Sequence, residues 1–424
     1  MFLKCIFYGK VACSTQNITF AEGIAMVGAI KHACEKVSFF SYGFRPFFWG
    51  ATLWAAAAMV IWGVMLSGLV PAGDGMSPIS WHAHAFVFGY GGAVIAGFLL
   101  TAIPNWTQRP PLQGVALAGL FLVWVAGRIV VLWQDNFGIF WAAGLQLAFY
   151  GILTLYITRE LIIAQNWRNL VLVAALCALM VGNGLFYKDV WEGNIAAQGG
   201  GLRLALAAIL MLIVVIGGRI VPNFTKKWLA SSFPGAAKKQ PIAGNRFDRL
   251  VMLVSLCVLI CWIIAPHWQG TGFAFCGVAA LHFYRQSRWG VVHVASEPLL
   301  WSLHLGYACI GIGMAVMGSG IVLDNTMHAV AGQHILMAGG IGITSLAVMT
   351  RASLGHTGRA LRAPCSTSVV YGLIIISVLV RACAAAWPEW ASILYYISAL
   401  CWGTGFAVFG VTYTPILFGK RVAP

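Results

Sequence analysis

About twelve apolar stretches, each long enough to cross the ~30 Å hydrocarbon core of a bilayer, are spread along the chain. They lie near residues 47–70, 82–103, 112–133, 137–158, 168–188, 199–220, 249–265, 268–283, 298–318, 326–349, 367–387 and 391–415. Inside a bilayer there is no water to satisfy backbone N–H and C=O groups, so a chain crosses only as helices or as a closed barrel. The apolar/polar alternation of barrel strands is absent here. The fold class expected is therefore all-α, a polytopic integral membrane protein with about 12 transmembrane helices. Composition agrees, since 60% of residues are apolar and 9% charged, with mean hydropathy +0.85. Soluble domains carry roughly 25% charged residues, so soluble, disordered and fibrous classes are excluded.

The 26 Lys and Arg against 11 Asp and Glu give a net charge of +15. On a soluble chain that surplus would point to nucleic acid. Here no nucleic-acid partner is expected, because the charges alternate with the spans. Of the 26 basic residues, 21 fall in every second inter-span segment, among them Arg109, Arg159, Lys226, Arg285, Arg351 and Lys420. Only Lys188 falls on the other side, and Arg128, Arg203, Arg219 and Arg381 lie within spans. The positive-inside rule then places both termini in the cytoplasm. Residues 1–25 lack a signal-peptide pattern. Residues 1–40 read as a cytoplasmic leader, or as a start assigned too early with Met26 as the alternative. Residues 41–418 read as one transmembrane domain, and 419–424 as a short tail. The eleven Cys include no CxxC or CxxCH, so neither covalent c-type haem nor a zinc ribbon is supported.

Two span ends repeat. Pro104-Asn105-Trp106-Thr107 closes the second span and Pro222-Asn223-Phe224-Thr225 the sixth, at the same side of the membrane. The tenth span leaves through a similar basic polar segment, Thr350-Arg351 to His356-Thr357, without the Pro. This spacing of four spans suggests three parallel four-helix repeats. The polar loop 221–248 offers the competing reading, the hinge of a six-plus-six transporter.

Ionisable groups within a bilayer are expensive and mark functional sites by default. No Asp or Glu lies deep in a span. The inventory is the four arginines above with His82, His84, His304, His328 and His334. Imidazole suits iron, copper and zinc, so these five histidines are the candidate metal ligands. His82, His84, His328 and His334 fall in the outer half, on spans 2 and 10, and His304 on the inner side. Positions two apart on a helix point roughly 200° away from each other. His82 and His84 therefore serve one centre only if the first turn is irregular; otherwise one faces a cofactor and the other a neighbour. His304 and His334 differ in depth by roughly 12 Å at 1.5 Å per residue. The better axial pair of a bis-histidine haem is then His82 or His84 with His334, leaving His304 for a second centre or the opposite haem edge. Arg128, Arg203 and Arg381 lie toward the outer span ends. They match either haem propionates, which Arg binds bidentately, or snorkelling and pairing with Asp135, Asp189 or Glu389.

At this point the sequence resembles the NnrS family of bacterial membrane proteins, from about Ser41 to the end of the last span. The matching motifs are Gly43-Phe44-Arg45-Pro46-Phe47-Phe48, Trp81-His82-Ala83-His84, Gly127-Arg128, Gly218-Arg219-Ile220-Val221-Pro222, Leu303-His304-Leu305-Gly306-Tyr307 and Leu354-Gly355-His356-Thr357-Gly358-Arg359. The resemblance implies a multi-pass protein of the bacterial inner (cytoplasmic) membrane that contains haem b and copper. It would bind or process nitric oxide or iron-nitrosyl species, by turnover as an oxidoreductase or by binding alone, and contribute to nitrosative-stress tolerance. His82, His84, His304 and His334 match the family's histidine positions. The family usually follows the histidine pair with an acidic residue and Met, where this chain has Ala85 and Phe86. Haem-copper oxidases offer an architectural analogy, with twelve helices in three groups of four and haem ligands on the second and tenth. The alternative function is a secondary transporter of copper or a metal-nitrosyl species.

Overall fold

The computed structural model describes residues 37–68, 75–232 and 240–422. Most of the expected leader, including Met26, lies outside the described residues, as do Lys238 and Lys239. Among the described residues there are twelve long helices and no strand. They are α1 (Phe44–Leu66), α2 (Pro78–Thr107), α3 (Gly114–Leu132), α4 (Ile139–Ile163), α5 (Leu170–Trp191) and α6 (Gly200–Ser232). The second half comprises α7 (Arg246–Ile264), α8 (Gln269–Ser287), α9 (Pro298–Val322), α10 (Thr326–His356), α11 (Cys365–Ala386) and α12 (Ala391–Phe418).

Their starts carry the expected signals. Ser77 caps α2 ahead of Pro78, Asn325 caps α10 through the backbone N–H of His328, and Asn245 with Asp248 forms a capping box on α7. Eleven of the helices are long and apolar enough to span a membrane. The exception is α8, whose 19 residues include His282, Arg285 and Gln286, all buried. These polar side chains lower its hydropathy and point into the bundle, so the twelve expected spans are twelve helices of which one has a polar inner face. The protein is thus a multi-pass membrane protein.

Consecutive helices pack against each other, α2 against α3 over the smallest area, and α12 closes back onto α1. Three helices, α2, α6 and α10, occupy the middle and touch each other pairwise. In their most apolar membrane-length windows 89%, 67% and 61% of the residues are buried, more than in any other of the eleven. These are the second helices of three consecutive groups of four. The arrangement supports the four-plus-four-plus-four reading over a six-plus-six one.

Close approach around this centre depends on glycine. A Cβ on Gly332 of α10 would lie 2.2 Å from the backbone nitrogen of Met317, and one on Gly320 of α9 would lie 2.3 Å from that of Ala329. Backbone cannot yield as a flexible side chain can, so the two helices must separate. Gly332→Ala is expected to cost about 1–3 kcal/mol, read as a lower melting temperature in detergent; an unchanged melt would contradict this contact.

Two stretches depart from α geometry. Ala85–Tyr90 in α2 and Ile335–Ile343 in α10 are π-helical, and they begin immediately after His84 and His334. Such turns are rare and concentrate at functional sites. In α2 the widened turn offers its carbonyls to neighbouring side chains. Trp54 Nε1 donates to Ala85 O at 2.8 Å, Tyr150 Oη to Phe88 O at 3.0 Å and Trp124 Nε1 to Gly89 O at 3.1 Å. The α2 π segment reaches α10 just past the second one, since Tyr90 Oη and Ser345 Oγ lie 2.5 Å apart.

Candidate functional site

Between these two irregular helices lies a cavity of about 650 Å³, walled mainly by α1, α2, α6, α9, α10, α11 and α12. Its lining is largely apolar and aromatic, with Trp62, Phe86 and Trp402 on the walls, and it holds His82, His267, His334, Arg203, Arg381 and Asp324. That size and character match sites for cofactors and small molecules.

The imidazoles of His82 and His334 reach the cavity for different local reasons. Pro78–His84 is regular α-helix, so His82 and His84 point apart as their spacing requires. His82 turns inward against Trp62 (ring centroids 4.4 Å) and Phe86 (5.0 Å). On α10, the Nδ1–H of His334 donates to Val330 O at 2.8 Å, which leaves Nε2 as the acceptor. Arg381 Nη2 donates to that Nε2 at 3.2 Å, while its guanidinium lies 4.5 Å from the Tyr395 ring centroid. Arg381 bears electrostatically on both imidazoles, and His82 on His334, so the three groups form one cluster. Arg203 donates to Gln198 O at 2.6 Å on the cavity wall, and its charge is felt by Asp189.

The other expected site residues are elsewhere. His84 is fully buried on the opposite face of α2, against Phe88, Phe186 and Tyr187. Arg128 is buried beside it and does not line the cavity, so Arg128, Arg203 and Arg381 do not form one set. His304 sits toward the other end of the bundle with its Nε2 2.9 Å from Thr225 Oγ1. His328 is exposed near the start of α10, 3.2 Å from Ser319 Oγ. The fold therefore brings together His82, His334, Arg203 and Arg381, and leaves His84, Arg128, His304 and His328 outside. Among the described residues no three His, Cys, Asp or Glu side chains converge as a metal group.

Sequence reasoning overlooked other groups. Met59, Met317 and Met337 line the cavity, and nothing in their spacing distinguishes them from packing methionines. His282 lay within an apolar stretch and could have been counted. It belongs to a buried polar chain at the far end of the bundle. There Ser255 Oγ lies 3.0 Å from His282 Nε2, and His282 Nδ1 lies 2.9 Å from Tyr307 Oη. Arg285 donates to Tyr307 Oη at 2.8 Å and to Asp248 Oδ1 at 2.9 Å, and Arg288 adds a second ion pair to Asp248. A Cβ on Gly218 would lie 2.0 Å from Arg285 Nη2, so that glycine makes the room for the guanidinium.

Twelve helices around an aromatic cavity that joins two histidines from distant spans define a polytopic membrane protein with an intramembrane imidazole site. The family model described as NnrS protein matches residues 38–421, and the chain belongs to the NnrS family. No curated protein matches the chain. Membership supports a role in the nitric-oxide response in the broad sense.

Proposed function

We propose that the cavity is a haem b site held by His82 and His334, and that the protein binds or processes nitric oxide or iron-nitrosyl species as part of nitrosative-stress tolerance. The observation that carries this reading is the convergence of these two imidazoles, His334 immediately before one π-helical stretch and His82 three residues before the other, on one largely apolar cavity with two arginines. The donor set fits the group. The Nδ1–H bond to Val330 orients His334 and raises its basicity, as at other imidazole–metal sites. Arg203 and Arg381 supply cationic forks suited to propionate carboxylates. Trp62, Phe86 and Trp402 supply apolar walls against which a macrocycle would pack. When bound between His82 and His334, haem would supply an iron able to bind nitric oxide.

Copper is proposed for the same chamber. The thioethers of Met59, Met317 and Met337, with imidazole, are soft donors of the kind that suit Cu(I). The bacterial inner membrane, with both termini cytoplasmic, is the proposed location, on the charge asymmetry of the loops.

The test is the visible spectrum and metal content of the detergent-purified protein, with and without nitric oxide. The expected result is a Soret band that shifts on adding the gas, with iron and copper in the protein. A protein free of Soret absorbance that carries copper across proteoliposomes would establish the transporter instead.

A further inference from the structure

The outer part of the bundle holds a second, separate polar locus. Arg128 of α3 is 3% exposed, and its Nε, Nη1 and Nη2 are all buried without a hydrogen-bond partner. None of the ion pairs among the described residues involves it. Its guanidinium rests between two indoles, 5.5 Å from the Trp54 ring centroid and 5.8 Å from that of Trp124. Gly89 gives it space, because a Cβ there would lie 2.3 Å from Nη1.

Three further side chains, on α2 and α5, have the same deficit. Both ring nitrogens of His84, both polar atoms of the Asn183 amide and the Tyr187 hydroxyl are buried and unpartnered. The His84 and Tyr187 rings lie 5.2 Å apart, and Asn183 and Tyr187 are one turn apart on the same face of α5. The charge of Arg128 bears on both His84 and Tyr187. Tyr150 is not part of this deficit, since its hydroxyl is committed to Phe88 O.

Buried polar groups in folded proteins are almost always satisfied, and buried charges are compensated. Water could fill the hydrogen bonds but would not neutralise the charge. The set is dominated by donors, five N–H from the guanidinium, two from the amide, and one each from imidazole and phenol. A cation is disfavoured at His84 by the adjacent fixed positive charge, which argues against copper at this position. We infer that Arg128, His84, Asn183 and Tyr187 form a binding site for a small monovalent inorganic anion, distinct from the His82–His334 cavity. Nitrite and nitrate offer planar oxygens to the guanidinium fork; chloride offers a single spherical acceptor to the same donors.

The test uses the purified full chain, held in sodium gluconate and titrated with sodium nitrite, nitrate or chloride at constant ionic strength while its melting temperature is followed. A saturable rise of at least about 2 °C at ~100 times the dissociation constant is expected. A response to nitrite and nitrate identifies an oxyanion site and a response to chloride identifies a halide site, and either supports the inference. Arg128→Met is expected to abolish the response. Should that variant not fold, Asn183→Leu and Tyr187→Phe are each expected to weaken binding about tenfold. Absence of any response beyond gluconate, or a response retained in Arg128→Met, would overturn it. The Soret band of each variant is recorded alongside, so loss of haem and loss of anion binding are read separately.

Discussion

Replacing His334 or His82 by Ala is expected to remove the haem absorbance of the purified protein, whereas His84→Ala keeps it. The contrast follows from the direction of each ring. His82 and His334 face the same cavity, and His84 points away from it into α5. Were the proposed haem held by His82 and His334, removing either imidazole would take away one of its two protein ligands and open the cavity wall. At least a tenfold fall in haem per chain is therefore expected for the first two variants, in line with the large effects of disturbing metal ligation. Soret absorbance against protein concentration measures it. A spectrum lost in His84→Ala and retained in His82→Ala would exchange the roles of the two residues and remove the cavity from the account.

Asp248→Ala is expected to be the most destabilising single change at the opposite end of the bundle. The carboxylate is 1% exposed and joins Arg285 and Arg288. Removing it leaves the fully buried guanidinium of Arg285 without a counter-charge, a loss of about 3–5 kcal/mol. The half of the α7 capping box in which the Asn245 N–H donates to Asp248 Oδ2 is lost as well, which adds about 0.5–1.5 kcal/mol. Thermal melts and yield in detergent would show it. Changing Arg285 to Met in the same chain is expected to restore part of the stability, because the uncompensated charge is then gone. If Asp248→Ala melts within a degree of the parent, the buried network is not a structural anchor.

The parts of this fold that were legible in the sequence are those set by local periodicity. Hydropathy alone marks eleven of the twelve helices, and α8 is harder to see because His282, Arg285 and Gln286 sit on its inner face. The central position of α2, α6 and α10 was foreshadowed by the repeated ends at Pro104 and Pro222. The opposed directions of His82 and His84 follow from 100° per residue. Which of the two meets His334 does not, because it depends on Trp62 of α1 and on the rotation of α10. The π segments were not legible either. Neither Ala85–Tyr90 nor Ile335–Ile343 carries a local signal, and the α2 turn is supported by Trp54, Trp124 and Tyr150 from three other helices. Arg128 shows the same limit: its depth could be read from its place in α3, but its separation from Arg203 and Arg381 is a matter of which face of α3 meets α2.

The most direct measurement is a density map of the purified protein at side-chain resolution, by electron cryomicroscopy. The account predicts a flat macrocycle in the cavity between α2 and α10, its metal within bonding distance of the His82 and His334 imidazoles and its carboxylates toward Arg203 and Arg381. A cavity filled only by lipid or detergent, or a macrocycle seated instead at His304, would contradict it.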